Sequence, residues 1–322
     1  MKAKILITGA SGFIGTNILE DLLGKGYTVR NIDIKCPKIE SRKDLWDKVD
    51  ITDYDAFERT VLGFEPDYIV HLAARTDLDG KNVKDYDANV TGVENLMKIL
   101  HKLPNLKKVI IASSKFVTRN GYQIKNQFDY CPHTVYGESK VETEYKVWAD
   151  KPLCDWCIIR PTSIWGPWFG VPYRNFFDMV MRRMYFHIGH IKCHKTYGYI
   201  GNAVYQIEQL LFNDTPDENN KVFYIGDEPA YEINEWADEI ANELGFKVPT
   251  MPVWFVKCLA KFGDFLGLFG IHFPMQSFRF GNMTNDGTND MTNTYQIAPD
   301  MPYTRLEGTR ATIEWIKEYE KK

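Results

Sequence analysis

The chain has 322 residues, 44% hydrophobic and 14% aromatic, enough apolar material for a substantial core in one large domain or two small ones. Its net charge of −4 gives no electrostatic reason to bind nucleic acid or an acidic membrane. The six cysteines share no repeated spacing. The close pair Cys154 and Cys157 falls in an apolar run with no second pair, so no metal or redox centre is expected, and reduced thiols fit a cytoplasmic protein. A strand-like run starts within a few residues of Met1, leaving no room for a signal peptide.

Residues 4–7 form a β-branched apolar run suited to the middle of a parallel sheet. It leads into Gly9, Gly12 and Gly15, with a helical pattern from Phe13. In a strand–turn–helix, glycines allow positive φ and close backbone approach, and the helix N-terminus favours phosphates. An ordinary βα turn reads the same way. Asp33 discriminates: it ends a second predicted strand, 27–34, after a helix over 13–23 stopped by Gly24 and Gly26. A carboxylate roughly 20 residues past such glycines accepts ribose hydroxyls and repels a 2′-phosphate, so NAD is favoured over NADP.

Residues 49–53 read as the end of a third strand, with Asp53 capping a helix to about residue 62. Asp50 there is either a cofactor contact or a turn carboxylate. Residues 67–74 (DYIVHLAA) form a fourth strand, whose Ala73 and Ala74 after Leu72 leave room for backbone to touch a cofactor. A long helix over 85–103 contains Asn89, either a cap or a support for neighbouring strands. A fifth strand, 108–114, ends in Ser113 and Ser114. Tyr136 and Lys140 sit one turn apart on a helix to 149, sharing a face, in the only Tyr-x-x-x-Lys among 18 tyrosines.

A sixth strand over 154–159 continues through Arg160, Pro161, Thr162 and Ser163 to Pro167. Residues 168–194 turn aromatic and basic, as a lobe over a substrate or as a surface helix over 175–184. Lys195 precedes a Tyr-rich turn, then come a helix over 203–212 and a strand over 221–225. The stretch 254–268, within an oily segment 253–273, has one oily and one charged face; its charges and short length argue against a membrane span. It packs as a helix of a small domain, or touches a membrane surface or apolar substrate. The asparagine-rich stretch 282–293 reads as a loop rather than a boundary.

The expected fold is α/β: a Rossmann-type doubly wound parallel sheet with a smaller, mostly helical C-terminal lobe. The dinucleotide domain takes 1–165 plus about 196–230, and the substrate lobe about 166–195 plus 231–322.

TGASGFIG, HLAA, the Ser-tipped fifth strand, YGESK and RPTSIWGP together resemble the extended short-chain dehydrogenase/reductases, in particular the NAD-dependent epimerase/dehydratase family with its sugar-nucleotide epimerases. The resemblance covers nearly the whole chain and is looser after Gly166. It implies catalysis by Ser114, Tyr136 and Lys140. A phenol of pKa about 10 is a poor base at neutral pH; lowering it by about three units takes roughly 4 kcal/mol of differential stabilisation, from an ammonium and a cationic nicotinamide. Ser114, with Ser113 as its rival, would hold the substrate oxygen.

Implied cofactor contacts are Gly9, Ser11, Gly12, Phe13, Ile14 and Gly15 at the turn, and Asp33, Ile34, Asp50 and Ile51 at the adenosine end. Leu72, Ala73, Ala74, Thr76, Asn89, Pro161 and Thr162 complete the set, with Tyr136 and Lys140. Implied substrate contacts are Ser114, Lys115, Ser163, Lys195 and Arg279. Lys115 and Phe116 stand where dehydratases of this family carry an Asp-Glu pair, which disfavours dehydration. Lys115 meets an anionic substrate group or is a solvated loop lysine. Ser163 replaces a usual Asn, and Lys195 replaces a diphosphate-binding Arg whose fork a lysine cannot reproduce. The expected reaction is NAD-dependent epimerisation of a nucleotide-sugar by transient oxidation at C4. A net dehydrogenase or ketoreductase of such a sugar or of a hydroxysteroid-like substrate is the alternative, and a non-catalytic NAD-binding regulator the remaining one. A homodimer through the helices over 85–103 and 136–149 is implied by the same resemblance.

Overall fold

The computed structural model describes residues 2–122, 124–215, 220–271 and 273–319. They divide into two compact units: a larger one of Met1–Ile164, Gly198–Gly226 and Asp290–Tyr303, and a smaller one of Trp165–Tyr197, Asp227–Asn289 and Thr304–Lys322.

Seven parallel strands build the larger unit: β1 (Lys4–Thr8), β2 (Thr28–Asp33), β3 (Trp46–Lys48), β4 (Tyr68–His71), β5 (Lys108–Ala112), β6 (Asp155–Pro161) and β7 (Val222–Ile225), in the order β7-β6-β5-β4-β1-β2-β3. Ile5, Leu6 and Ile7 are fully buried, as their unbroken apolar run requires of a strand covered on both faces. The helices are α1 (Phe13–Gly24), α2 (Tyr54–Phe64), α3 (Asp87–Leu100), α4 (Val135–Ala149) and α5 (Ile200–Phe212). α2, α3 and α4 pack in succession, and α1 packs with α5. Strand order reverses between β1 and β4, the switch point beside which such sheets bind ligands. There Thr8 is in register with both Ile32 and His71.

Helix starts follow their caps: Asp53 accepts from the Ala56 N–H at 3.1 Å, and Thr134 from the Gly137 N–H at 3.0 Å. Other boundaries shift. Asp50 lies outside β3, because its carboxylate accepts the Thr52 N–H and hydroxyl and so forms a turn. The helix expected from 85 starts with a 3₁₀ turn, Val83–Tyr86, whose Asn82–Asp85 capping box sets its direction. The stretch read as a loop without a boundary holds the end of helix Ser277–Thr284, and the chain then leaves the smaller unit at Asn289. Residues 290–303, placed by sequence in the lobe, belong with the larger unit: the Thr294 hydroxyl bonds the Tyr224 carbonyl, and Asn202 exchanges hydrogen bonds with the Tyr303 backbone.

The smaller unit is mostly helical, with Arg174–Met181, Ile233–Glu243, Val253–Gly267, Ser277–Thr284 and Arg305–Tyr319. Its core is aromatic: the Trp236 ring lies 4.9 Å from Trp165 and 4.6 Å from Phe176. Of the basic-aromatic stretch, Tyr185 and His187 are buried, while Arg182 and Arg183 face solvent.

One buried ion pair ties α4 to β6. Glu144 receives two hydrogen bonds from Arg160, at 2.8 and 2.7 Å, with both side chains at most 1% exposed. Glu144→Ala strands the guanidinium and is expected to cost on the order of 3–5 kcal/mol in urea unfolding. The double variant Glu144→Leu with Arg160→Met should recover most of that loss, since an apolar pair leaves no orphaned charge.

Candidate active site

The turn after β1 is shaped by contacts only glycine allows. Gly9 has φ +76°, and a Cβ there would sit 2.7 Å from the Ala73 nitrogen; at Gly15 it would sit 2.4 Å from the Gly9 carbonyl oxygen. The turn therefore lies against the Leu72–Ala73 backbone and α1 closes onto it. Thr8 fixes the two strand ends: its hydroxyl oxygen is 2.8 Å from His71 Nδ1 and accepts from the Ala73 N–H. α1 starts at Gly12, whose lack of a side chain leaves the helix N-terminus open to a phosphate. Phe13 and Ile14 form that first turn.

Asp33 ends β2 beside this turn. Its carboxylate accepts the Ser11 N–H at 3.1 Å and the Lys35 N–H at 2.8 Å. Burial raises its pKa, against those hydrogen bonds. Ile34 beside it is 56% exposed. Ile51 is different: its side chain is 4% exposed and packs on Gly92 in the core, so it offers no side-chain surface to a ligand. Asn89 is not a cap either. Its amide accepts from the Arg75 N–H and donates to the Arg75 carbonyl and Ser139 hydroxyl, clamping the loop after β4 to α4. Among the remaining expected contacts, Thr76 is exposed and Thr162 is buried with its hydroxyl on the Ile225 carbonyl.

Ser114, Tyr136 and Lys140 come together at the end of β5. Lys140 donates to the Ala112 carbonyl at 2.9 Å, two residues before Ser114. The Tyr136 ring meets the Phe116 ring edge-on at 5.8 Å, two residues after it. This closeness depends on Gly137, where a Cβ would sit 2.2 Å from the Phe116 carbonyl oxygen. The Ser114 hydroxyl oxygen accepts from the Phe116 N–H at 3.2 Å, and its own proton can turn to another acceptor. Ser113 is committed elsewhere, donating to Glu144 at 2.5 Å. Burial pulls the Lys140 ammonium down to about 8, with Glu144 opposing the shift.

Lys115 is no free loop lysine: it donates to the Ser163 hydroxyl at 2.7 Å, joining two positions the resemblance assigned to substrate. In the smaller unit, Lys195 donates to the Asn282 carbonyl, and Arg279 to the Pro274 carbonyl and Met179 sulfur. Arg279 and Asn282 line a cleft of about 400 Å³ with Phe273, Pro274, Gln276 and Phe278. Sequence reasoning passed over His71, buried and held near pKa 3 by desolvation and Lys140, with no partner for Nε2 among the described residues. It also passed over Glu144, although position i+4 from Lys140 was a readable signal.

A parallel sheet with a carboxylate-tipped β2, a glycine cradle at its switch point and a Tyr–Lys pair on the next wall define a dinucleotide-dependent enzyme. Residues 5–204 match the NAD dependent epimerase/dehydratase family, and the chain belongs to that family. It is 27% identical, over 98% of its length and 96% of the relative, to the N-acetyl-alpha-D-glucosaminyl-diphospho-ditrans,octacis-undecaprenol 4-epimerase of Escherichia coli O157:H7. It is also 27% identical, over 78% of its length and 72% of the relative, to a 3 beta-hydroxysteroid dehydrogenase/Delta 5-->4-isomerase of Mycobacterium tuberculosis. Among solved structures it resembles the Bordetella bronchiseptica enzyme WbmG in complex with NAD and UDP, with TM-score 0.73, 18% identity and coverage of 99% and 95%.

The cofactor is NAD, and the glycine cradle and Asp33 carboxylate fit it. Gly9, Gly12 and Gly15 would take the diphosphate and Asp33 the adenosine ribose.

The buried Lys140 makes a pH prediction. Its folded pKa, about 8, lies below the ordinary 10.5, so between those values the unfolded chain binds more protons than the folded one. Its contribution to stability therefore rises with pH across that window and is lowest below pH 8, where the ammonium is buried in full. Unfolding free energies of the cofactor-free protein, measured against pH, should show this rise, and Lys140→Met should remove it.

Proposed function

We propose that the chain is an NAD-dependent epimerase that inverts C4 of a nucleotide-sugar. The observation that carries this is the buried Lys140 ammonium one turn from Tyr136 on α4, at the strand end bearing Ser114. Lys140 favours the Tyr136 phenolate by charge, and the phenolate takes the C4 hydroxyl proton. Ser114 donates a hydrogen bond to the substrate oxygen as that proton leaves. Held by the Gly9–Gly15 turn and Asp33, NAD would supply a hydride acceptor for C4 and the hydride donor for the other face of the sugar. Tyr136 then gives the proton back to the oxygen of the inverted centre.

Lys115, on Ser163, puts a cation where a dehydratase needs a carboxylate, so the proton transfers that eliminate water lack their acid and base. Lys195 and Arg279, both in the smaller unit, are the cations that the resemblance assigns to a substrate phosphate. The same reading takes the protein as a cytoplasmic homodimer joined through α3 and α4. The second reading is a dehydrogenase of a hydroxysteroid-like substrate, favoured by exposed aromatic side chains on the helix Val253–Gly267.

UDP or GDP separates the two readings. Saturable thermal stabilisation at low nucleotide concentration supports the nucleotide-sugar; none, with stabilisation by a sterol alcohol, supports the dehydrogenase.

Tyr136→Phe removes the base but not the cofactor cradle. Turnover should fall by about 10²–10⁴ with NAD affinity within a few-fold of the parent, read by calorimetry and by sugar analysis. Turnover at parental rate would remove Tyr136 from the chemistry.

A further inference from the structure

We propose that the helical hairpin of Val253–Gly267 and Ser277–Thr284 docks the protein on an anionic lipid bilayer. The helix Val253–Gly267 buries Val256, Ala260 and Gly263 against its own unit. A Cβ on Gly263 would meet the Met275 carbonyl oxygen at 1.9 Å, so the return segment lies hard against that inner face. The Ser277 N–H donates to Asp264 at 3.0 Å and pins the second helix beside the first.

What the hairpin turns outward is apolar. Of 17 large hydrophobic side chains exposed among the described residues, eight lie between Trp254 and Phe278. On the first helix Trp254, Phe262 and Phe265 are 68%, 51% and 55% exposed. The surface continues past the helix end in Leu268 and Phe269, and Phe278 adds 79% exposure from the second helix. Lone exposed hydrophobics need no explanation, but one contiguous group of aromatics does.

Charge selects the occupant. Lys257 and Lys261, one turn apart and both exposed, border the aromatic stripe. From 247 to 284 the chain carries four Lys and Arg against one carboxylate, Asp264, which already holds Ser277. A local cationic rim thus sits in a chain of net charge −4, and the whole-chain figure concealed it. Lysines beside aromatics are the arrangement of an interfacial helix: rings enter the acyl boundary while ammoniums reach lipid phosphates. A second copy seated symmetrically would bring the two cationic rims together. No helix among the described residues is long and apolar enough to cross a membrane, so the contact is with one surface.

The test is flotation of the full chain with vesicles of phosphatidylcholine alone or mixed with phosphatidylglycerol. The protein should float with the mixed vesicles, with high salt weakening the association. Phe262→Ser with Phe265→Ser, and separately Lys257→Glu with Lys261→Glu, should each lower partitioning by about tenfold or more. Melting temperature and NAD affinity should be unchanged, because all four side chains are exposed. Failure of the parent to float with anionic vesicles overturns the proposal, as does flotation unaffected by both pairs. So does sedimentation showing that the Phe pair converts a dimer to a monomer, which would give the face to a second copy. Binding is read without turnover, so the result stands apart from the reaction proposed above.

Discussion

An ammonium group held out of water at the end of a parallel strand is the constraint around which the larger unit is organised. Desolvation pulls Lys140 towards the neutral amine, and a neutral amine could not favour a phenolate. Glu144, one turn further along α4, opposes that pull. Glu144 is itself kept in place by Arg160, Ser113 and Tyr130. A polar network centred on Glu144 thus sustains the charge one turn away on the same helix. The same network distinguishes the adjacent serines: the Ser113 hydroxyl donates to Glu144, whereas the Ser114 hydroxyl proton is not drawn into that network.

What the sequence made legible was local. A βα turn with its glycines, an acid at the next strand end, and a Tyr–Lys step on a helix are patterns within a few residues of one another. Their physics is complete at that range: positive φ, helix dipole and shared helical face. The partners that give these groups their state lie far along the chain and carry no spacing signal. Arg160 reaches Glu144 across 16 residues, Asn89 reaches Ser139 across 50, and Lys115 reaches Ser163 across 48. Lys115 and Ser163 each looked like an isolated departure from a family pattern, and the fold makes them one hydrogen-bonded pair.

Side-chain direction was the other blind spot. Asp50 and Ile51 are neighbours at a strand end, yet one is exposed in a turn and the other is core, because the Thr52 bonds to Asp50 turn the backbone there. The asparagine-rich stretch misled for a related reason. Asparagine marks turns on average, but Asn282 sits in a helix whose neighbours Phe280 and Met283 pack against the cluster of Val256, Ala260 and Met275. Burial of those neighbours outweighs the residue's own preference.

Summed charge fails in the same manner as averaged propensity. A single value for 322 residues gives no electrostatic reason to expect an acidic surface, because carboxylates elsewhere cancel the lysines of one hairpin. Screening confines exposed charges to about 8–10 Å, so a bilayer phosphate meets Lys257 and Lys261 and not the remainder of the chain. The oily face beside them has the complementary problem. Its inward residues are small enough to let Met275 press against the helix, which leaves the large aromatics no route inward. Small residues inside and rings outside is a costly arrangement in water, and contact with an apolar phase bordered by anions relieves it.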